Sequence, residues 1–261
     1  MMKYLRLYKA FMIASLKADL EYRMNFVSRI VTDIFWYVAQ IVTFEALFLH
    51  TDKLGSWNLA QTRVFLGLLF VVDAFYMIML SENLDKMSDR VRKGEMDLLL
   101  AKPVNSQFMM SLQRANTAIF GNLVMGLAWL IWSLSQLPDF SWPRLFWLIV
   151  LVPCGLIALY GIRFMISATA VIFTRSENLQ YMWYQLYRLG MRPDSIYAPW
   201  LKFLVVTLLP VGLIASVPSR FLLGPPDLGA FALAVFVAGA FLWMSQRFWK
   251  YALTFYTSAS S

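Results

Sequence analysis

Five residues in an otherwise apolar run near the start of the chain recur at helical spacing: Arg29, Asp33, Trp36, Tyr37 and Gln40. Steps of three and four residues place them on one face of a helix, and Arg29 and Asp33, at i and i+4, are spaced to pair. Asp73 and Tyr76 stand one turn apart in a second apolar run, Glu45 lies near the far end of the first, and Arg163 sits within a fourth. A charged group at such depth costs at least about 2.5 kcal/mol unless it faces protein or water. These side chains therefore either pair with one another or line a path for ions or a polar solute. Both readings stay open for Asp33. Depth alone points to an Asp73–Arg163 pair, with a water-filled cavity reached by both as the alternative.

Other chemistry is missing. Gly121 and Gly126 have the outer spacing of a phosphate loop, but Leu127 and Ala128 follow where Lys and Ser or Thr are needed. The chain has no HExxH run, no Gly-x-Ser-x-Gly elbow and no Cys/His cluster. Its one cysteine, Cys154, is embedded in an apolar run, and its one histidine, His50, falls at a span end where aromatic-belt residues collect. Catalytic residues, metal ligands and cofactors are thus not expected, and any work the protein does draws on an ion gradient or a separate subunit.

The elements that position these residues follow from composition. Sixty per cent of the chain is apolar and only 15 per cent charged, against about a quarter charged in soluble domains, and the mean hydropathy is +0.60. A single core cannot hide that much apolar surface, so the surplus faces lipid. Six stretches reach the roughly 20 residues a span needs: Val27–Leu49, Thr62–Leu80, Ala115–Leu137, Leu145–Phe173, Trp200–Val217 and Leu228–Gln246. Backbone in lipid must satisfy itself, so these are helices. The expected fold is an all-α polytopic membrane protein with six spans over residues 26–261. With both termini cytoplasmic, 18 of the 23 Lys and Arg residues fall inside, four outside (Lys53, Arg63, Arg144, Arg220) and Arg163 within a span. The net charge of +8 then reflects this bias and attraction to anionic lipid; it does not point to nucleic acid.

Residues 1–25 read as an amphipathic helix lying in the inner headgroup layer, with Leu5, Tyr8, Met12 and Leu16 on one face and Lys3, Arg6, Lys17 and Glu21 on the other. Residues 82–108 form the longest charged segment. Acids come early (Glu82, Asp85, Asp89) and bases late (Arg90, Arg92, Lys93), which suits a helix dipole. Gly94 ends that helix, a short turn follows over Glu95–Leu100, Pro103 closes it, and Asn105 or Ser106 caps the helix leading into the third span. Leu98, Leu99 and Leu100 have no cover within the loop itself, so they must meet the membrane surface, the N-terminal helix or a partner. The aromatic, basic loop after the fourth span is expected to be an interfacial cytoplasmic helix. Gly155, Ala158 and Gly161 permit close helix contact, and Ala230, Ala234 and Ala238 offer either a second packing face or a lipid-facing one.

The layout, together with the run Gly94-Glu95-Met96-Asp97-Leu98-Leu99-Leu100-Ala101-Lys102-Pro103 after the second span, resembles the permease subunits of type-2 ABC exporters. The resemblance implies a bacterial inner-membrane protein in which two permeases, identical or paralogous, sit on two ABC ATPase subunits that bind ATP and Mg. The segment carrying Arg92, Lys93, Gly94, Glu95, Asp97, Leu98, Leu99, Leu100 and Pro103 inherits the role of the coupling helix that docks on the ATPase. The family's half-helices before the last span correspond to Pro218–Pro226. Asp33, Trp36, Tyr37, Gln40, Asp73 and Tyr76 are then the candidates for a pathway that moves an amphipathic or lipid-like substrate. The alternative is a secondary transporter or channel coupled to protons or ions through Asp33, Asp73 and Arg163.

Overall fold

The computed structural model describes residues 2–138, 140–173 and 177–256; Arg175, counted above among the inner cations, lies outside them. Among the described residues there is no strand, only an isolated bridge between Leu54 and Trp57. Helix α1 (Met2–Glu21) breaks at Tyr22 and continues as α2 (Arg23–Phe48). Helix α3 (Leu59–Tyr76) opens on a capping box between Asn58 and Gln61. A π turn over Met77–Ser81 carries it into α4 (Glu82–Asp85) and α5 (Met87–Arg92), so that one helical rod spans Leu59–Arg92. The wide turn frees the Ile78 carbonyl, which accepts the Asn116 N–H at 3.0 Å.

Gly94 breaks the rod at φ 70°, a left-handed conformation that a Cβ disfavours. Two short helices follow, α6 (Glu95–Leu100) and α7 (Ser106–Leu112), the second capped by Asn105, whose Oδ1 accepts from Phe108 N. Helix α7 does not lead into the third span, contrary to expectation. The chain breaks after it, and a 3-10 turn at Thr117–Ile119 opens α8 (Phe120–Ser135). That turn is held by the N-terminal helix: Asp19 Oδ2 accepts from the Thr117 hydroxyl at 2.6 Å, and Ser15 Oγ from Ala115 N at 3.0 Å. Helix α1 is thus bonded to the bundle through Ser15 and Asp19, which lie on the same side as Tyr8 and Met12 and opposite Lys3, Arg6 and Lys17.

Helix α9 (Leu148–Phe173) and α13 (Leu228–Leu253) pack closely. A Cβ on Gly161 would lie 2.6 Å from the Phe241 carbonyl, and Ala234 and Ala238 are buried in the same contact. The four-residue alanine repeat therefore faces protein there. Both ends of the described chain lie at one end of the bundle, here called the base. There Lys3 Nζ donates to the Pro103 carbonyl and Tyr256 Oη to Asp97 Oδ1. The opposite end, the crown, carries the loop between α2 and α3.

The largest departure from expectation lies between α9 and α13. The helix α10 (Glu177–Gly190) is not an interfacial element at the base. Its Tyr184 reaches Asp85, its Tyr187 reaches Asp73, and Ser195 just beyond it donates to the Leu54 carbonyl in the crown loop. Helix α10 therefore runs alongside α3 from base to crown and is the fifth crossing. The stretch Trp200–Val217, expected as that crossing, forms α11 (Pro199–Thr207) and, after an 80° bend, a turn leading to α12 (Ser216–Leu223). Asp194 ties both limbs together. Its Oδ2 lies 2.7 Å from Arg220 and 4.0 Å from Lys202, and its N–H donates to Ser216 Oγ. A pair whose limbs meet at one aspartate turns back on itself, so α11–α12 is re-entrant from the crown. Non-helical backbone at this depth is tolerated because protein surrounds it: Val211–Ser219 are all buried. Gly155 and Gly190 make the room, since a Cβ would fall 2.5 Å from Leu213 O and 2.8 Å from Val211. Arg192 and Lys202 consequently sit at the crown and Arg188 within a crossing, which thins the cation bias without reversing it.

Candidate pathway cavity and coupling platform

Four of the six pathway candidates come together. Asp33, Trp36 and Tyr37 of α2 and Asp73 of α3 line one cavity of about 240 Å³, closed by Asn122 of α8 and by the thioethers of Met77 and Met191. Tyr37 stacks on Phe70 with ring centroids 4.3 Å apart, which fixes its hydroxyl beside Asp73. That carboxylate accepts from Tyr187 at 2.7 Å and from Tyr37 at 3.4 Å. Asn122 is buried and its Oδ1 has no partner. The Arg29–Asp33 pair read from their spacing does not form among the described residues; Arg29 faces a separate hollow with Asp19 and Arg114. Gln40 lines a different, larger groove of about 820 Å³ between α2 and α10, where Arg188 and Arg192 also stand. Tyr76 is fully packed, 6.2 Å from Tyr187 ring to ring, and reaches neither space.

Arg163 does not meet Asp73. Its guanidinium, fully buried on α9, pairs with Asp85 of α4 and sits 5.4 Å from the Tyr184 ring. Asp85 also accepts from Tyr184 Oη at 2.9 Å and from Ser81 Oγ at 3.0 Å. One carboxylate thus joins the base of the α3 rod to α9 and to α10. Sequence position gave no hint of it, since Arg163 lies 78 residues from Asp85 and spacing cannot register such a pair. Asp73 is satisfied instead by phenols from α2 and α10.

At the base, residues 82–108 fold into a platform. Asn83 Nδ2 donates to Arg114 O at 2.6 Å, its Oδ1 accepts from Arg114 N, and Arg90 donates to Met110 O. The three leucines do not behave alike. Leu99 is buried and Leu100 half-buried, and Met96 is wholly buried beside them. Leu98 is 71 % exposed, and Arg92, Lys93, Glu95, Lys102 and Pro103 around it are exposed too. Cover for the buried members comes from the body of the protein, which a reading confined to the loop could not supply. Asp97 faces the chain's own tail through Tyr256.

A model for the family described as ABC-2 family transporter protein matches residues 34–260. The chain belongs to that family. No curated protein and no solved structure matches it. As an ABC-2 permease it is a multi-pass membrane component of an ABC transporter, a class that works with ABC ATPase subunits. The match begins one residue after Asp33 and takes in the other cavity residues, the platform and the re-entrant pair. In this ABC-2 permease the stretch Pro218–Pro226, where the resemblance implies half-helices, holds the end of α12 and the turn after it, preceded by α11. The start of this bent pair was hidden because α11 and the turn are apolar enough to pass for part of a span.

Proposed function

We propose that this ABC-2 permease is the membrane subunit of an ATP-driven exporter. It pairs with a second permease, identical or paralogous, and with two ATPase subunits that bind ATP and Mg. The base is cytoplasmic in a bacterial inner membrane. An amphipathic substrate moves past Asp33, Trp36, Tyr37 and Asp73 toward the crown. The observation that carries this reading is the platform face: an exposed leucine, ringed by charge, on a segment whose interior is otherwise well packed. A single apolar side chain in such a ring has the form of a docking knob. Arg92, Lys93, Glu95, Lys102 and Pro103 make its rim, while Leu99 and Asp97 hold the platform to the body.

Closure of the ATPases would push this face. The push would pass along the α3 rod to Asp85, and from there to α10 through Tyr184 and to α9 through Arg163. The ion-coupled alternative needs Asp33, Asp73 and Arg163 in one relay, and Arg163 is engaged by Asp85 outside the cavity. The test is copurification. Leu98→Asp is expected to abolish recovery of the ATPase with the permease while leaving permease yield and melting unchanged. Undiminished ATPase recovery with this variant would remove the exporter reading.

A further inference from the structure

We propose that the cavity between α2, α3 and α8 is a binding site for the cationic head of an amphiphile, a lipophilic quaternary ammonium or protonated amine. Its lining is rich in anionic and electron-rich groups, and the donors it does present, the Tyr37 hydroxyl and the Asn122 amide, are turned to the two carboxylates. Asp33 and Asp73 supply carboxylates, Asn122 supplies a buried Oδ1 without a partner, and Met77 and Met191 supply thioethers. Trp36 and Tyr37 add aromatic faces, with ring centroids 5.4 Å apart and planes inclined at 55°. Aromatic walls combined with carboxylates are the means by which proteins hold quaternary ammonium groups. No Lys or Arg lines the space, and Arg29, one turn from Asp33, faces the hollow of Asp19.

Size argues for a head group and not a whole drug. About 240 Å³ falls below the roughly 300–1,000 Å³ of drug-sized sites. Trp36 is 38 % exposed and stands at the mouth on the outer side of α2, where an apolar tail can leave the cavity. Neighbouring Phe35 is exposed on the same helix. The two carboxylates stand within apolar spans, where each requires compensation. Asp73 has its two phenols, whereas Asp33, beside the Asn122 amide and within range of the Arg29 charge, has no direct ion-pair partner among the described residues. A bound cation supplies one.

That the bound molecule is transported rests on the permease reading above; the binding chemistry does not, and the experiment separates them. The full chain, purified without ATPase in nanodiscs, is titrated with radiolabelled decyltrimethylammonium, with decyl sulfate and decanol as competitors. Saturable binding displaced by unlabelled cation and not by the anion or the alcohol is expected. Trp36→Ala and Asp33→Asn should each weaken binding by about tenfold, Trp36→Phe by less, and Arg188→Gln and Leu98→Asp not at all. Non-saturable uptake of the cation, equal displacement by decyl sulfate, or wild-type affinity in both cavity variants overturns the proposal. Because the competitor pattern is read on the unaltered protein, a variant that fails to fold does not spare it. Loss of ATPase by Leu98→Asp with binding intact would leave both readings standing, and the same variant keeping its ATPase would remove only the exporter.

Discussion

At the scale of single residues, the Asp85–Arg163 pair is the contact whose loss should be felt most. Arg163 is wholly buried and Asp85 about one-third exposed. Asp85→Asn keeps the shape but leaves a buried guanidinium without its countercharge, which costs about 3 kcal/mol, the low end for such breaks because Asp85 reaches solvent. Melting of the purified protein measures this, and a wild-type midpoint would refute it. The double variant Asp85→Asn with Arg163→Met should recover part of the loss, since the coupling of two touching groups is non-additive. The neighbouring leucines separate packing from contact. Leu99→Ala opens a hole in a buried site and should cost about 2–5 kcal/mol. Leu98→Ala removes exposed surface and should stay within about 0.5 kcal/mol, so any functional loss there reports a partner.

At the scale of elements, the platform is clamped between α1 and the end of α13. Lys3 holds the Pro103 carbonyl from one side and Tyr256 holds Asp97 from the other. Partial burial and the Asp97 carboxylate push the Tyr256 phenol up to about 12. A folded pKa above the unfolded value means that this contribution is fully present below about pH 10 and is lost as pH rises through 12. Tyr256→Phe should therefore cost about 0.5–1.5 kcal/mol at neutral pH and increase amide exchange in α6. Exchange unchanged from wild type would mean the tail does not restrain the platform. The same elements explain what was readable in advance. Gly94, Asn105 and Pro103 act locally, and local signals are carried by residue type. The burial of Leu99 depends on segments brought in from elsewhere in the chain.

At the scale of the whole molecule, the route of the chain between α9 and α13 gives the clearest test. With α10 crossing and α11–α12 re-entrant, Ala198 lies on the same side as Asp52, and Lys102 on the other. Single cysteines at these sites, in a background with Cys154 replaced by Ala, should label from one side for Ala198→Cys and Asp52→Cys. Lys102→Cys should label from the opposite side. If Ala198→Cys labels together with Lys102→Cys, α10 does not cross. By itself the sequence determined that the protein is helical and membrane-embedded, and it marked five of the six crossings, because a long apolar run has only one way to satisfy its backbone in lipid. It also singled out the polar stripe of α2, because charge at that depth is costly wherever it points. Only the tertiary structure decided which helix makes the fifth crossing. Helix α10 is short, with Trp183, Tyr187 and Gly190 buried against the bundle and Gln185 and Arg188 exposed, so its apolar content falls below that of a lipid-facing span. The bent pair carries the apolar content that α10 lacks, with its turn and α12 buried by protein and α11 exposing Trp200 and Phe203. The partners of Asp73, Arg163 and the leucines were likewise settled by packing, since contacts between residues far apart in sequence leave no periodic trace in the chain.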